Sequence, residues 1–293
     1  MLAPTFALAQ SSGQSGQGMH PVLEAAAQTH SSLRVCADPN DLPFSNKAGQ
    51  GFENKLAQMV GQSLGRQVQF VWEMQNDDFL RSVYTSKCDL VMGLPSEDHG
   101  YGVLTTDPYY RSAYALVYRA NAPYQLKSLD DPRLRTLQIG VNSTYGDKVD
   151  LPPGTTLANR GIVKNVHGYD LFANYYSQAN PSAAPIKAVA KGDVDVAIAW
   201  GPLAGYFAKR QPVKLTVVPL TDTHTVLPFQ FSISMAVRHD DTALRDKLNA
   251  FLRDKHGAVE ALLTQYGVPQ LKMDAVASGK DTLTQRRADS VRR

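Results

Sequence analysis

The sequence predicts an α/β fold of two lobes, each a mainly parallel sheet flanked by helices, with a cleft between them. Three observations lead there. Short apolar runs alternate with helical patterns in the order β-α-β-α-β. That order recurs, loosely, further along the chain. The length of 293 residues gives each lobe about 100–150 residues, enough for its own core. The apolar fraction of 43% and charged fraction of 19% fit a globular chain rather than a fibrous or disordered one.

The first strand is Leu33 to Ala37 (LRVCA), ended by the dense turn signal Asp38-Pro39-Asn40-Asp41. In GFENKLAQMVGQSLG (51–65), Phe52, Leu56, Met59, Val60 and Leu64 recur at helical spacing and Gly65 stops the helix. Val68 to Trp72 reads as a strand, and Asn76 caps a second helix carrying Phe79, Leu80, Val83 and Tyr84 on one face. Asp89 to Gly93 (DLVMG) is nearly continuously apolar, as a strand buried on both faces must be. The repeat follows: LQIGV (137–141) with Asn142-Ser143-Thr144 echoes the opening strand and turn. KGDVDVAIAWGP (191–202) likewise echoes KCDLVMGLP (87–95), each an apolar strand closed by a Gly/Pro turn.

YALVYR (114–119) and FQFSISMAVR (229–238) alternate and are rich in aromatics, so they read as the segments adjoining two crossings between lobes. A long helix after Asp241-Thr242 carries Leu244, Leu248, Phe251 and Leu252 inward, and a last helix from Val259 to Tyr266 ends at Gly267. The expected boundaries are 33–119 plus 224–271 for lobe 1, 120–223 for lobe 2, a flexible segment over 1–32, and a disordered basic tail over 272–293.

Charge and cysteines narrow the function classes. The formal charge of +3 is accounted for by the tail alone, where six Lys and Arg face three Asp, so the folded part carries no cluster suited to nucleic acid. No Lys or Arg precedes Arg34, and MLAPTFALA ends in the small-x-small pattern of a signal-peptidase site; the chain reads as starting within a signal peptide and as exported to the periplasm. In an exported chain the two cysteines, Cys36 and Cys88, favour a disulfide over a pair of buried free thiols. No P-loop, Gly-x-Gly-x-x-Gly or Cys-x-x-Cys is present, and the seven histidines lack metal-ligand spacing; no cofactor is expected. Asp38-Pro39-Asn40-Asp41 reads as a capped turn rather than a Ca²⁺ loop, and Glu97-Asp98-His99 as a solvated turn rather than an acid/base site.

At this point the residues resemble a known group. LRVCADPNDLPFSN…GFENKLA and SKCDLVMGLP…TTDPYYRS follow the pattern of family 3 solute-binding proteins, and SLDDPRLR, RGIVKNVHGY and AWGPLAGYFA extend the resemblance over roughly 33–271. Within that group the chain resembles the MxaJ/XoxJ-type proteins associated with PQQ-dependent (quinoprotein) methanol and other alcohol dehydrogenases. The resemblance implies the type II periplasmic binding-protein fold and a non-catalytic accessory that helps such a dehydrogenase mature or become active. Its partners would be the dehydrogenase or its cytochrome c. A solute receptor working with an ABC permease on a small uncharged or aromatic ligand is the first alternative. A dehydratase or lyase on the same fold is the second.

Departures from the amino-acid receptors of the group are informative. Those receptors place a Thr-x-x-Arg after the strand corresponding to 89–93, and its Arg clamps the ligand carboxylate. Here the stretch is Pro95-Ser96-Glu97-Asp98-His99-Gly100, and Trp200-Gly201-Pro202 stands where an Asp would hold the ligand ammonium. Ligands of α/β lobes bind beyond the carboxyl ends of strands. The candidate ligand or partner cleft is therefore Asp41, Leu42 and Phe44, Leu94 and Pro95, Tyr109, Tyr110 and Arg111, Thr144 and Tyr145, and Trp200 and Pro202. These residues, with Pro43, form either an apolar groove for a partner segment or uncharged ligand, or a set of rings that pack the lobe interface.

Overall fold

Strand β1 (Ser32–Ala37) lies parallel to β4 (Gln67–Trp72) on one side and β5 (Leu90–Pro95) on the other. The computed structural model describes residues 32–75, 79–96, 102–144, 151–173, 175–221, 225 and 227–273. Residues 1–31, where the signal-peptide reading falls, Asn76, Glu97-Asp98-His99, Tyr145 and the residues from 274 onward lie outside them. After β1 the chain makes a tight excursion, β2 (Asn40–Asp41) and β3 (Ser45–Asn46), with a cis Leu42–Pro43 peptide between them.

Helix α1 (Phe52–Leu64) covers the sheet with Phe52, Leu56, Ala57 and Val60, and ends at Gly65 in the left-handed conformation. Its start is tied to the preceding turn: the amides of Phe52 and Glu53 donate to the carbonyls of Pro43 and Phe44 at 2.8 and 2.9 Å. The Asn54 side chain accepts from the Gly51 and Asn46 amides. The short helix α2 (Phe79–Tyr84) leads to β5. Cys36 and Cys88 are joined in a disulfide, buried with Phe79, Val91, Leu94 and Ala236.

After β6 (Val103–Thr105), strand β7 (Tyr110–Arg119) runs ten residues. β8 (Ile139–Ser143), α3 (Pro152–Asn159), β9 (Val166–Asp170), α4 (Ala184–Lys191), β10 (Val196–Trp200), α5 (Gly201–Ala208) and β11 (Leu215–Pro219) build the second wing. β12 (Gln230–Arg238), α6 (Thr242–Asp254) and α7 (His256–Tyr266) return to the first. One mixed sheet results, in the order β4-β1-β5-β12-β7-β10-β8-β9. Both ends of that sheet are parallel, and the antiparallel strands β7 and β12 join them in the middle. Residues 110–113 of β7 pair with β12, and residues 114–118 pair with β10. The two aromatic, alternating segments of the sequence are thus the connecting strands.

One difference from the expected elements concerns Trp200-Gly201-Pro202, read as a turn. Gly201 opens α5, with Pro202 in its first turn, where its missing N–H costs nothing. All eight residues of α5 are buried. Gly205 faces the turn that ends α7: a Cβ there would lie 1.9 Å from the Gly267 carbonyl oxygen. Since the obstacle is backbone, Gly205→Ala is expected to destabilise by on the order of 2–3 kcal/mol, read as a lower urea midpoint at unchanged slope.

Candidate functional site

The turn after β1 is built on Asp38, which is 4% exposed. Its carboxylate accepts from the Asn40 and Gln75 amides at 2.7 Å each, and from the Tyr175 hydroxyl. These bonds use its lone pairs on the protein itself, as a buried carboxylate requires. Asp41 projects from the same turn, and Glu53 stands in the first turn of α1, held close by the α1–turn bonds described above.

The three carboxyls share one cavity of about 540 Å³. Its other walls are rings and aliphatic groups: Phe44, Leu94, Pro95, Tyr110, Tyr114, Trp200 and Phe231, with Asn142, Thr144, Phe172, Tyr175 and Ser182 from the second wing. Trp200 packs edge-on against Tyr114 and Phe231, with ring centroids 5.4 and 5.7 Å away. No Lys, Arg or His lines the cavity among the described residues.

Hydrogen bonds tie the β1 turn to the segment 175–182 across this cavity. Asn40 donates from its side-chain amide to the Tyr175 and Gln178 carbonyls, both at 2.8 Å, and accepts from the Asn180 amide at 2.9 Å. The Leu42 amide donates to the Asn180 side chain at 3.0 Å, and the Ser182 hydroxyl to Asp41 at 3.1 Å. Asn180 has φ +53°, a left-handed conformation that Asn tolerates better than most side chains. This set of bonds ties the two segments together along one side of the cavity.

Burial dominates the electrostatics. It raises the Asp41 carboxyl to about 7, helped by the nearby Asp38 charge and opposed by the Ser182 hydrogen bond. It raises Glu53 to about 8, helped by Asp41 and Asp38. The Tyr110 hydroxyl is pushed well above its usual range by burial and by Glu53. Among the described residues no group of three His, Cys, Asp or Glu is placed to hold a metal ion, this trio included.

Of the residues singled out from sequence, Asp41, Phe44, Leu94, Pro95, Tyr110, Thr144 and Trp200 line this cavity. Leu42 is not among its lining residues; it packs against the core beside the turn. Tyr109 and Arg111 line a second hollow of about 370 Å³ with His256, Glu260 and Lys272, and Tyr110 borders both that hollow and the cavity. Pro202 is buried in α5. Sequence reasoning passed over Asp38, Glu53, Tyr175, Asn180 and Ser182. An acid in the first turn of a helix that directly follows a strand-end turn, as in GFEN, was the available signal for Glu53. Nothing periodic marks 175–182.

The chain matches the family model of bacterial extracellular solute-binding proteins, family 3, over residues 33–268. It is 33% identical over 258 residues to Protein MoxJ of Methylorubrum extorquens, an alignment covering 85% of this chain and 84% of that protein. The crystal structure of periplasmic binding protein XoxJ from Methylobacterium extorquens AM1 is 37% identical, with a TM-score of 0.67 over 82% of this chain and all of that one. MxaJ from Methlophaga aminisulfidivorans MPT is 28% identical, with a TM-score of 0.70 over the same shares. With the two-winged sheet and the cleft between strand ends, these likenesses establish that the chain belongs to the family 3 bacterial extracellular solute-binding proteins.

Proposed function

We propose that this protein is a periplasmic, non-catalytic accessory of a quinoprotein methanol or alcohol dehydrogenase, acting in the maturation or activation of that enzyme. Its partner is the dehydrogenase or its cytochrome c. One observation carries the reading furthest: the cleft presents carboxyls to its occupant, where an amino-acid receptor must present a guanidinium to a ligand carboxylate. An amino-acid ligand would find no basic side chain among the described lining residues to pair with its carboxylate, and an unpaired buried charge costs several kcal/mol. The similarity to MoxJ, XoxJ and MxaJ over most of the chain supports the same reading. No helix among the described residues is long and apolar enough to cross a membrane.

A second reading, a receptor handing a small molecule to an ABC permease, is favoured by the cavity's volume of about 540 Å³, which suits small-molecule ligands. Affinity capture of the tagged protein from its own periplasm, with mass spectrometry of co-eluting proteins and small molecules, separates the two. Enrichment of a dehydrogenase or its cytochrome is the expected result. A single small molecule at near-stoichiometric level, with no protein partner, would replace the accessory reading by the receptor one.

A further inference from the structure

Two contacts tie the wings to each other in addition to the strands that link them. The first is the seam between the β1 turn and the segment 175–182, where six hydrogen bonds pass from one wing to the other. Asn40 makes three of them. Its side-chain N–H groups donate to two carbonyls of the second wing, and its side-chain oxygen accepts from the Asn180 amide. The Asn180 side chain accepts a fourth from the Leu42 amide, and the Tyr175 and Ser182 hydroxyls donate to Asp38 and Asp41. Asp38, Tyr175 and Ser182 are buried, so water competes poorly for these groups and parting them leaves polar atoms unpaired. Every donor and acceptor named belongs to the protein, so the seam requires no group from a ligand.

The second contact lies outside the cavity, where α5 of the second wing packs on the end of α7 in the first. The Tyr206 and Tyr266 rings stack with centroids 5.8 Å apart, and the Tyr266 hydroxyl donates to the Gln50 carbonyl of its own wing. Gly205 meets the Gly267 carbonyl with no room for a Cβ between them. Periplasmic binding proteins commonly admit and release ligands by rotating one lobe about the linking segments. Here such a rotation has to part the buried seam. It also has to slide α5 over a backbone contact that has no slack.

We propose that the segment 175–182 is a latch that holds the two wings at one fixed spacing, with or without a ligand, and that Asn40 is its principal residue. The wings do not swing about β7 and β12 as the lobes of a transport receptor do. The latch is a property of this chain alone, so it stands apart from the accessory role, which concerns the protein's partner.

Double electron–electron resonance between spin labels on the two wings tests it. Gln62→Cys on α1 and Ala158→Cys on α3 put the labels at exposed positions, and the buried Cys36–Cys88 disulfide stays unlabelled. The labelled full chain is unfolded in denaturant without reductant and refolded, which strips any retained ligand. One narrow distance peak is expected. The variant N40A/N180G removes four of the six bonds, while glycine keeps the left-handed backbone at 180. Its peak is expected to broaden and shift, and Asn40→Ala alone should act in the same direction and less strongly. Hydrogen exchange supplies a second readout. The Leu42 amide is expected to exchange at least about tenfold faster in the double variant, while the Ile198 amide inside β10 keeps its protection, as an opened latch on an intact fold requires. A broad or two-peaked distribution in the refolded parent would overturn the proposal. So would a double variant that keeps the parent's distance distribution. Neither measurement involves a dehydrogenase, so a failure here leaves the accessory role intact.

Discussion

Replacing Glu53 with glutamine is expected to stabilise the ligand-free protein at pH 8, by on the order of 2–4 kcal/mol. The sign follows from proton counting. Folding lifts this carboxyl from 4.5 to about 8, so between those values the folded state holds a proton that the unfolded state has released. Stability therefore falls as pH rises through that window, and the full cost of the charged carboxylate is present above it. Glutamine keeps the shape and never ionises. Its advantage should shrink to under about 1 kcal/mol at pH 5, where the folded-state carboxyl is already neutral and the unfolded one only partly ionised. The low end of the range allows for the part of Glu53 that faces the hydrated cavity. Urea denaturation of both proteins at the two pH values checks this. A difference independent of pH would mean that Glu53 titrates as an ordinary surface acid. Asp41→Asn should act in the same direction and less strongly, because Ser182 already supports its carboxylate.

The second large effect concerns the disulfide. Cys36 and Cys88 are 52 residues apart, and a cross-link closing a loop of that length restricts the unfolded chain by about 4 kcal/mol. The double variant C36A/C88A is expected to lose most of that, seen as a lower urea midpoint. Alanine is the suitable replacement because both sulfurs lie in an apolar cluster with Phe79, Val91 and Leu94, where a hydroxyl would go unpaired. The closed loop contains Asp38, Asp41, Phe44 and Glu53, so the variant should also bind cleft ligands more weakly. A midpoint equal to that of the oxidised parent would show that the bond contributes no stability.

The strands and capped helices were legible because their signals are local. Buried runs such as DLVMG, stripes such as Phe52, Leu56 and Val60, and the left-handed stops at Gly65 and Gly267 each lie within a few residues. Asp241 closes the first turn of α6 onto the Leu244 amide at 3.0 Å, as its place before the helix suggested. α5 was missed because a helix buried on every side has no polar face, so its sequence, GPLAGYFA, carries no period to read. The site divides along the same line. Aromatic and prolyl residues next to strand ends could be picked out, yet three acids at 38, 41 and 53 look like separate turn and cap residues until folding gathers them. Of Tyr109, Tyr110 and Arg111 only Tyr110 reaches the cleft, and it borders the second hollow as well, so adjacency in sequence did not separate the two sites.

The single unbroken strand β7 has a consequence for how the molecule holds together. Its first four residues complete the ladder with β12, and the remainder complete the ladder with β10 and β11. Each half of the sheet therefore borrows one of its inner strands from the same ten-residue segment. Neither half can melt while the other keeps that segment straight, and neither is whole when cut from the other. The folding unit is larger than either wing, and a change deep in one is felt as lost cooperativity in both.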